Sequence, residues 1–240
     1  MIERGSGVAV WRQIEDSLAA DIAGGVLRAG QQLPTELQLA ARFSVNRHTI
    51  RRAVATLVER GLLRVEQGRG TFVQDNAIDY AISKRTRFSQ NMARQNLSAD
   101  VDILNSDTVP ANAELAELLR VAVGDALFRI QVLSKAEGRV VDYATMFFPA
   151  ARLPGLPDAY RRHRSVTRAL QECGVPDYTR RFTRVTARLP DAEMVDYLGI
   201  PKNRPVLRVK SLNVDAAGVP VQYGVTSFNG DLVQLVMEQE

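Results

Sequence analysis

The residues best suited to chemistry lie between Asn46 and Arg52, which read Asn-Arg-His-Thr-Ile-Arg-Arg. Asparagine is a favoured N-cap residue, so the segment predicts the start of a helix whose first turns carry arginine, histidine and threonine. Arginine binds guanine O6 and N7 through two parallel hydrogen bonds, and a helix N-terminus favours phosphate oxygens. The chemistry that these residues predict is therefore non-covalent recognition of nucleic acid.

The apolar residues of the same segment decide which side chains face outward. Ile50, Ala53, Val54 and Leu57 recur at helical spacing and predict a buried face. Side chains near the start of the helix that lie off this face are available to contact bases or phosphates. The contacts predicted on this helix are Arg47, His48, Thr49, Arg51 and Arg52.

Two earlier helices are predicted to position this one. The first has an apolar stripe at helical spacing, formed by Trp11, Ile14, Leu18 and Ile22. The second begins near Thr35, which with Gln38 has the spacing of a capping box. Because only Ser44 and Val45 separate this helix from the next, the pair is typical of a helix-turn-helix unit. The Thr35 hydroxyl is predicted to contact phosphate.

A β-hairpin is predicted directly after the third helix. Residues 62–66 and 71–73 are short strand-like segments on either side of a glycine-rich tip. Glycine permits close approach of the backbone, and an arginine at the tip is attracted by the negative potential of the minor groove. The tip residues predicted to contact DNA are Gln67, Gly68, Arg69 and Gly70.

Charge is concentrated in the same part of the chain. Residues 42–69 contain seven arginines and two acidic residues, whereas from residue 75 onward 21 basic residues face 20 acidic ones. A basic helix face is often only solvated, and glycine-arginine-glycine tips occur in many hairpins. Their combination in this order favours double-stranded DNA as the partner.

The rest of the composition excludes several classes of protein. One cysteine, Cys173, and two histidines, His48 and His163, exclude a disulfide framework and a Cys/His zinc site. No Ser/His/Asp set and no paired carboxylates accompany His163, so we expect no catalytic residues, no metal and no cofactor. No apolar run approaches the ~20 residues of a membrane helix, so we expect a soluble cytoplasmic protein without a membrane partner.

The C-terminal two thirds alternate strand-like and helix-like segments, which predicts an α+β domain. Residues 113–130 match residues 192–209 at an offset of 79 positions, and after one inserted residue Val141-Asp142-Tyr143 matches Val221-Gln222-Tyr223. Each copy predicts a helix and two strands, so we expect one pseudo-duplicated sheet with a cleft near its pseudo-twofold axis. The predicted boundaries are residues 1–74 for a DNA-binding domain, 75–83 for a linker and 84–240 for the C-terminal domain.

Candidate contacts for a small anion lie at the start of the C-terminal domain. Arg87, Ser89, Gln90 and Asn91 supply hydrogen-bond donors beside Phe88, and donors clustered near a helix start can hold an anion. On spacing alone, a solvated linker helix is the favoured alternative.

A second basic cluster spans residues 161–188 and contains eight arginines, most of which we expect to be surface charges. Within it, Arg184 shares a predicted strand face with Phe182. That arrangement is equally compatible with a cavity wall and with an exposed strand face.

Residues 10–73 resemble the winged-helix domain of the GntR superfamily of bacterial transcription regulators. The matching motifs are Leu33-Pro34-Thr35-Glu36, Leu39-Ala40, residues 45–51, Glu59-Arg60-Gly61 and residues 67–73. Many members carry arginine at the position of Leu37, so one DNA contact known in the family is missing here. The resemblance implies a winged helix-turn-helix that binds an operator.

From residue 80 onward the chain resembles the effector-binding UTRA domain of the HutC branch, which shares the fold of chorismate lyase. Residues 46–49, 87–91 and 183–188 look most like the phosphonate-metabolism repressors of that branch. In the family, the Phe-Ser region and strand arginines near residues 129–135 hold a phosphate-bearing effector. The effector contacts predicted here are Arg87, Phe88, Ser89, Gln90, Asn91, Arg129, Arg184 and Tyr223.

The chain departs from the family at several of these positions. Val132 and Ser134 stand where strand arginines are usual, and family glutamates that contact sugar hydroxyls align with Ala144 and Gln222. These replacements argue against an amino-sugar phosphate as the ligand. They leave Arg129 and Lys135 as nearby cations for an anionic ligand.

From these resemblances we expect a repressor that binds its operator as a homodimer and is released by a small anionic effector, a phosphonate or a phosphate-like molecule. A HutC-type regulator that responds to urocanate or a sugar phosphate is the alternative within the class. A lyase-like enzyme is less expected because no catalytic set is visible. A bare scaffold would leave Arg47, Arg51 and Arg69 without a role.

Overall fold

The computed structural model describes residues 8–74 and 77–237. The chain divides into two compact units, Met1–Asn76 and Ala77–Glu240. The boundary falls inside the predicted linker, whose residues 75 and 76 lie outside the described ranges. Within those ranges, no helix is long and apolar enough to cross a membrane.

Three helices and a hairpin make up the N-terminal unit. They are α1 (Val10–Ala23), α2 (Glu36–Phe43), α3 (Arg47–Glu59), β1 (Leu63–Glu66) and β2 (Gly70–Val73), with the two strands antiparallel. The apolar faces of the helices meet in one core, whose most completely buried side chains include Ile14, Leu18, Leu39, Ile50 and Leu57. The winged helix-turn-helix predicted from the sequence is confirmed.

Short-range hydrogen bonds set the turn between α2 and α3. Thr35 and Gln38 form the predicted capping box at the start of α2. At the start of α3, Asn46 Oδ1 accepts a hydrogen bond from Thr49 N at 2.9 Å. Ser44 ends α2 in the left-handed conformation (φ 53°). Because these caps satisfy backbone groups that helix ends leave unpaired, α3 begins at Arg47 and its basic residues occupy the first turns.

The hairpin tip is tied to the rest of the N-terminal unit by Gln32. Its Nε2 donates to the Arg69 carbonyl oxygen at 2.7 Å, and Gln32 also forms a β-bridge with Phe72. Beneath the tip, the buried Glu66 carboxylate accepts hydrogen bonds from Arg64 Nε at 3.2 Å and Arg69 Nη1 at 2.6 Å. These contacts supplement a two-stranded hairpin, which is only marginally stable by itself.

Two glycines at the tip allow this arrangement to be tested. Gly70 has φ +121° and an added Cβ would lie 2.7 Å from Gln32 Nε2, whereas one at Gly68 (φ +78°) would meet nothing within 4 Å. We expect Gly70→Ala to destabilise the N-terminal unit by about 1–3 kcal/mol and Gly68→Ala by less. The φ of Gly70 lies further from the left-handed region open to alanine, and the new methyl group would displace the Gln32 amide from the Arg69 carbonyl oxygen. Thermal unfolding followed by the fluorescence of Trp11, the single tryptophan, measures both. Equal effects would contradict the role given to Gln32.

A six-stranded antiparallel sheet dominates the C-terminal unit. Its strands are β4 (Ala99–Pro110), β5 (Ala126–Ala136), β6 (Arg139–Pro149), β7 (Tyr178–Arg188), β8 (Val206–Asp215) and β9 (Pro220–Asn229). The helices of this unit are α4 (Phe88–Arg94), α5 (Ala113–Leu119), α6 (Leu156–His163), α7 (Val166–Glu172) and α8 (Ala192–Leu198).

The sheet is built from two copies of one arrangement, β4-α5-β5-β6 and β7-α8-β8-β9. Its strand order is β4-β5-β6-β9-β8-β7, so the second copy repeats the first in reverse from the opposite edge. At the centre, Thr145 pairs with Val225, its equivalent 80 positions later in the chain. A pseudo-twofold axis therefore passes between these two residues. The duplication predicted from the sequence is confirmed, and α6 and α7 form the connection between its halves.

A small second sheet corrects the predicted linker. Ile78–Ala81 forms β3, which pairs in parallel with β10 (Val233–Val236). Part of the predicted linker is thus a strand of the C-terminal unit. The sequence prediction missed this pair because a four-residue strand is stable only when it pairs. Its partner lies about 155 residues away in the chain, and no local pattern indicates that pairing.

Candidate functional site

The exposed arginines at the start of α3 are held in place by Glu36 of α2. The Glu36 carboxylate accepts hydrogen bonds from Arg51 Nε at 3.1 Å, Arg51 Nη2 at 2.9 Å and Arg47 Nη2 at 3.3 Å. The Arg51 hydrogen bonds are the main cause of a lowered Glu36 pKa. Since both arginines remain well exposed, these ion pairs orient the guanidinium groups more than they stabilise the fold.

Arg52 is oriented differently, by a stacking interaction with α1. Its guanidinium lies 4.4 Å from the centre of the Trp11 ring, and Arg12 lies 5.7 Å from the same ring. Such cation–π contacts favour a fixed guanidinium while leaving its N–H groups free to donate. Three predicted DNA-contacting arginines of α3 therefore have defined directions in the free protein.

The two threonines predicted to contact DNA are engaged locally. Thr35 Oγ1 lies 3.0 Å from Gln38 Oε1, and Thr49 Oγ1 lies 2.9 Å from Asn46 Oδ1. A phosphate contact requires either hydroxyl to exchange its local acceptor for a phosphate oxygen. His48, by contrast, is exposed at the start of α3.

At the wing tip, Gln67, Gly68, Arg69 and Gly70 are all exposed. The Arg69 side chain is paired with the buried Glu66 at 2.6 Å and is 49% exposed. The backbone of the tip is thus fixed by Gln32 while the guanidinium remains accessible.

Leu37 leaves an apolar patch beside the basic helix. Its side chain is 68% exposed on α2 and lies in a surface groove shared with Arg47 and Thr49. At the position where the resemblance led us to expect an arginine, this N-terminal unit therefore presents a hydrophobic surface that contacts no core.

The C-terminal unit contains a cavity of about 360 Å³ on one face of the duplicated sheet. Strands β5, β6, β8 and β9 form its floor, and α4 and the α6–α7 region contribute to its walls. Equivalent residues of both halves line the floor: Ser134 and Asp142 of one half, and Asn213 and Gln222 of the other. This cavity corresponds to the cleft expected near the pseudo-twofold axis.

Each half carries a pair of polar residues at the same two positions of this floor. Ser134 Oγ donates to Asp142 Oδ1 at 2.9 Å, and Asn213 Nδ2 donates to Gln222 Oε1 at 2.6 Å. A register shift precedes each pair, leaving one extra residue in the strand, Val141 in β6 and Val221 in β9. Because a bulge re-aims the side chains around it, both the valine and the polar residue after it are buried.

Four arginines line the cavity; Arg164 and Arg168 are exposed, whereas Arg87 and Arg180 are partly buried. The Arg87 guanidinium lies 4.4 Å from the Tyr178 ring centre and donates to Asp177 Oδ1 at 3.1 Å and Thr167 Oγ1 at 3.4 Å. Arg180 Nε donates to Asn213 Oδ1 at 3.3 Å, and burial lowers the pKa of its guanidinium. Cations held in a partly dry cavity are suited to an anionic ligand.

The one buried acidic group on the floor is Asp142. Burial raises its pKa to about 7, against the opposing effect of the Ser134 hydrogen bond. Its side chain belongs to no metal cluster, because the described residues contain no group of three or more His, Cys, Asp or Glu side chains that could hold a metal ion.

The predicted effector residues divide into two groups. Arg87, Phe88 and Ser89 line the cavity. Asn91 and Gln90 do not: the Asn91 side chain bonds the Ala81 backbone at 2.8 and 3.2 Å, which ties α4 to β3, and Gln90 is exposed on α4.

The predicted contacts on the strands lie elsewhere, which corrects the sequence interpretation. Successive strand residues face opposite sides, so Arg129 cannot share the cavity face with Val132 and Ser134, and its guanidinium pairs with Asp107. Arg184 and Tyr223 line a separate cavity of about 200 Å³ together with Phe182. Arg184 therefore lines a cavity, but a different one from that of Arg87.

Sequence reasoning missed two cavity residues, Asp142 and Arg180. The repeat contained a signal for the first, because it aligned Asp142 with Gln222, a position already singled out as a family ligand contact. Arg180 was one of eight arginines in a cluster with no pattern to distinguish it.

Comparison with known proteins identifies the family of each unit. Residues 11–73 match the model of the gntR family of bacterial regulatory proteins, and residues 94–234 match that of the UTRA domain. An uncharacterized HTH-type transcriptional regulator of Rhizobium meliloti (strain 1021) is 39% identical over 99% of this chain and 98% of its own. The probable transcriptional regulator PhnF of Escherichia coli (strain K12) is 34% identical over 88% of both chains.

The fold is likewise that of a solved structure. PhnF from Mycobacterium smegmatis superposes with a TM-score of 0.67 at 24% identity, covering 97% of this chain and 99% of its own. The gntR family and these relatives are transcriptional regulators rather than enzymes.

The raised pKa of Asp142 predicts a pH-dependent stability. An aspartate has an ordinary pKa of 3.8, and in the folded protein that of Asp142 is about 7, so the folded state retains a proton that the unfolded state releases. Stability is therefore lost as pH rises from about 4 to 7. Asp142→Asn removes this loss, and we expect its advantage over the parent protein to grow across that range, to about 4 kcal/mol at most.

Thermal unfolding between pH 4 and 8 measures the effect. Asp107→Asn is the matched control, because the Arg129 hydrogen bond lowers the Asp107 pKa and gives the opposite sign. Its loss of stability relative to the parent should stay constant between pH 8 and about 4, because the lowered pKa places the titration of Asp107 below that range. An Asp142→Asn profile parallel to that of the parent would contradict the assignment.

Proposed function

Because the chain belongs to the GntR family of bacterial regulatory proteins and carries a UTRA domain, we propose that it is a dimeric repressor released from its operator by a small phosphonate-like anion. It is a transcriptional regulator of the GntR/HutC type. The winged helix binds DNA, and the C-terminal cavity holds the effector.

Support for the DNA interface comes mainly from the oriented arginines of α3. Glu36 directs Arg47 and Arg51 outward, and the Trp11 ring directs Arg52. Guanidinium groups fixed in the free protein lose less conformational freedom when they bind bases or phosphates. Arg69 at the wing tip supplies a second cation, suited to an adjacent minor groove.

The proposed dimer places two N-terminal winged-helix units on one operator. Two recognition helices that enter successive major grooves on one side of DNA lie ~34 Å apart, which requires a roughly palindromic site. An effector that favours the DNA-incompetent arrangement by ~1–3 kcal/mol is sufficient to change occupancy.

Support for an anionic effector comes from Arg87 and Arg180, which line a single cavity with few acidic groups beside them. Arg87 is well buried, at 11% side-chain exposure, and its partner Asp177 is 44% exposed. An anion that entered the cavity would replace a solvent-exposed, weak ion pair by one shielded from water. The resemblance of residues 87–91 to phosphonate-metabolism repressors makes phosphonates the first anions to examine.

Substitutions of single arginines test the DNA interface. We expect Arg47→Ala to cost ~1–3 kcal/mol of operator affinity and to relax base preference, because a base contact is lost. Arg52→Ala should weaken binding to all sequences and reduce the salt dependence by about one counterion, because a phosphate contact is lost. Fluorescence anisotropy on DNA from upstream of the protein's own gene, at several salt concentrations, separates the two effects.

Arg42→Ala is the matched control for these variants. Arg42 is also an exposed arginine of the N-terminal unit, and it pairs with Asp21 of α1, so its substitution removes the same charge away from α3. Its operator affinity should change little. If Arg47→Ala and Arg52→Ala left affinity as unchanged as this control, α3 would not be the reading helix.

Release of the operator tests the effector assignment. We expect an alkylphosphonate to release the labelled operator from the parent protein, and Arg87→Gln to bind DNA normally but to respond at least tenfold less to the ligand. Arg129→Gln is the control, since this arginine lies on the opposite sheet face. Release by urocanate or a sugar phosphate alone would replace the phosphonate assignment with the alternative. Equal loss in both variants would place the ligand elsewhere.

A further inference from the structure

The two halves of the cavity floor are equivalent in backbone but not in charge. In the half formed by β8 and β9, the polar pair is neutral, Asn213 with Gln222, and Arg180 donates to Asn213. In the half formed by β5 and β6, the corresponding pair contains a carboxyl group, Asp142, and the residue equivalent to Arg180 is Val101. The strands of the duplicated floor therefore contribute an arginine at one end and a carboxyl group at the other.

The acidic end is incompletely satisfied. Asp142 is 3% exposed, and among the described residues the only hydrogen bond to its side chain comes from Ser134 Oγ. A carboxylate accepts hydrogen bonds at two oxygens and is costly to bury without a countercharge. No described lysine, arginine or histidine pairs with it.

The remaining groups near Asp142 do not supply that countercharge. Burial raises the pKa of both Tyr80 and Tyr160, so both phenols are neutral at physiological pH. Arg164 lines the same cavity, but its side chain is exposed, its Nη1 donates to the Val101 carbonyl oxygen at 3.2 Å, and no ion pair joins it to Asp142 among the described residues. The carboxyl group is accordingly directed into a ligand cavity without a protein cation as partner.

We propose that Asp142 and Ser134 form a subsite for a protonated amine, and that the effector is a small zwitterion with an amine at one end and a phosphonate or phosphate group at the other. This inference rests on the proposed anion site at Arg87 and Arg180 and adds a second contact to it. The amine replaces the missing countercharge of Asp142, and it donates to the carboxylate and to the free lone pair of Ser134 Oγ.

An amine fits this subsite better than a hydroxyl group. Above pH 7, where the buried Asp142 carboxyl group is mostly ionised, a hydroxyl donor would leave its negative charge without a countercharge, whereas an ammonium group forms a charge-assisted hydrogen bond. The neutral pair of the other half, Asn213 with Gln222, lacks this property, so the ligand binds in one orientation.

Matched ligands test the subsite in the full-length protein. 2-Aminoethyl-, 3-aminopropyl- and 4-aminobutylphosphonate are each compared by calorimetry with the alkylphosphonate in which a methyl group replaces the amine. For the best length, we expect the parent protein to prefer the amine at least tenfold. Asp142→Asn should reduce that ratio to about one while it retains the affinity for the alkylphosphonate.

The outcomes distinguish this inference from the function on which it rests. If each pair binds the parent protein equally, the amine subsite is wrong and the anion site stands. If no phosphonate of either series binds, the proposed function fails and this inference fails with it. Equal loss of both ligands in Asp142→Asn would make the residue structural and overturn the subsite. Ser134→Ala, which leaves the carboxyl group in place, should reduce the preference severalfold and provides an independent second variant.

Discussion

The pairing of β6 with β9 joins the two halves of the C-terminal sheet, and the position of every residue on the cavity floor follows from its register. Since Thr145 lies opposite Val225, each strand of one half is matched by its equivalent in the other. A slip of one residue would turn the Ser134–Asp142 and Asn213–Gln222 pairs to the opposite face and replace them by residues such as Tyr143 and Tyr223. The two valine bulges then add the local displacement that buries Asp142 and Gln222. Ligand recognition in this unit is therefore a property of strand register.

The N-terminal unit must instead hold long cationic side chains in fixed directions at an exposed surface. Arginine has many rotamers, and an unsupported arginine would lose that freedom on binding DNA. Glu36 restrains two of them through one carboxylate, and the Trp11 ring restrains a third. At the wing, the buried Glu66 and the Gln32 side chain do the same for Arg69 and its backbone. Acidic residues in this basic unit thus serve to orient its cations.

Periodicity and capping chemistry were sufficient to predict the winged helix, because the information lies within a few residues: Thr35 with Gln38, Asn46 with Thr49, and the apolar stripe through Ile50 and Leu57. The duplication of the sheet was visible for a similar reason, since two copies with the same pattern can be aligned. The cavity was predicted less well. Arg129 was placed by its nearness to the positions of the family's strand arginines, and Arg184 by the strand face that it shares with Phe182. Neither pattern shows which face of the folded sheet bears the cavity. Arg180 and Asp142 meet the same cavity from β7 and β6, which only the tertiary register brings together.

A duplicated floor also has an evolutionary consequence. Positions 142 and 222 occupy equivalent places in two copies of one scaffold, so a charged group can move from one copy to the other without any change in backbone. Exchange of the two residue types would place the carboxyl group at the same end of the floor as Arg180, and so change the spacing between the charged groups that a ligand meets. Such a unit can therefore acquire a new effector through a pair of point substitutions. With internal symmetry of this kind, a change of specificity can arise by substitution in either copy. The unchanged copy preserves the fold while the other one varies.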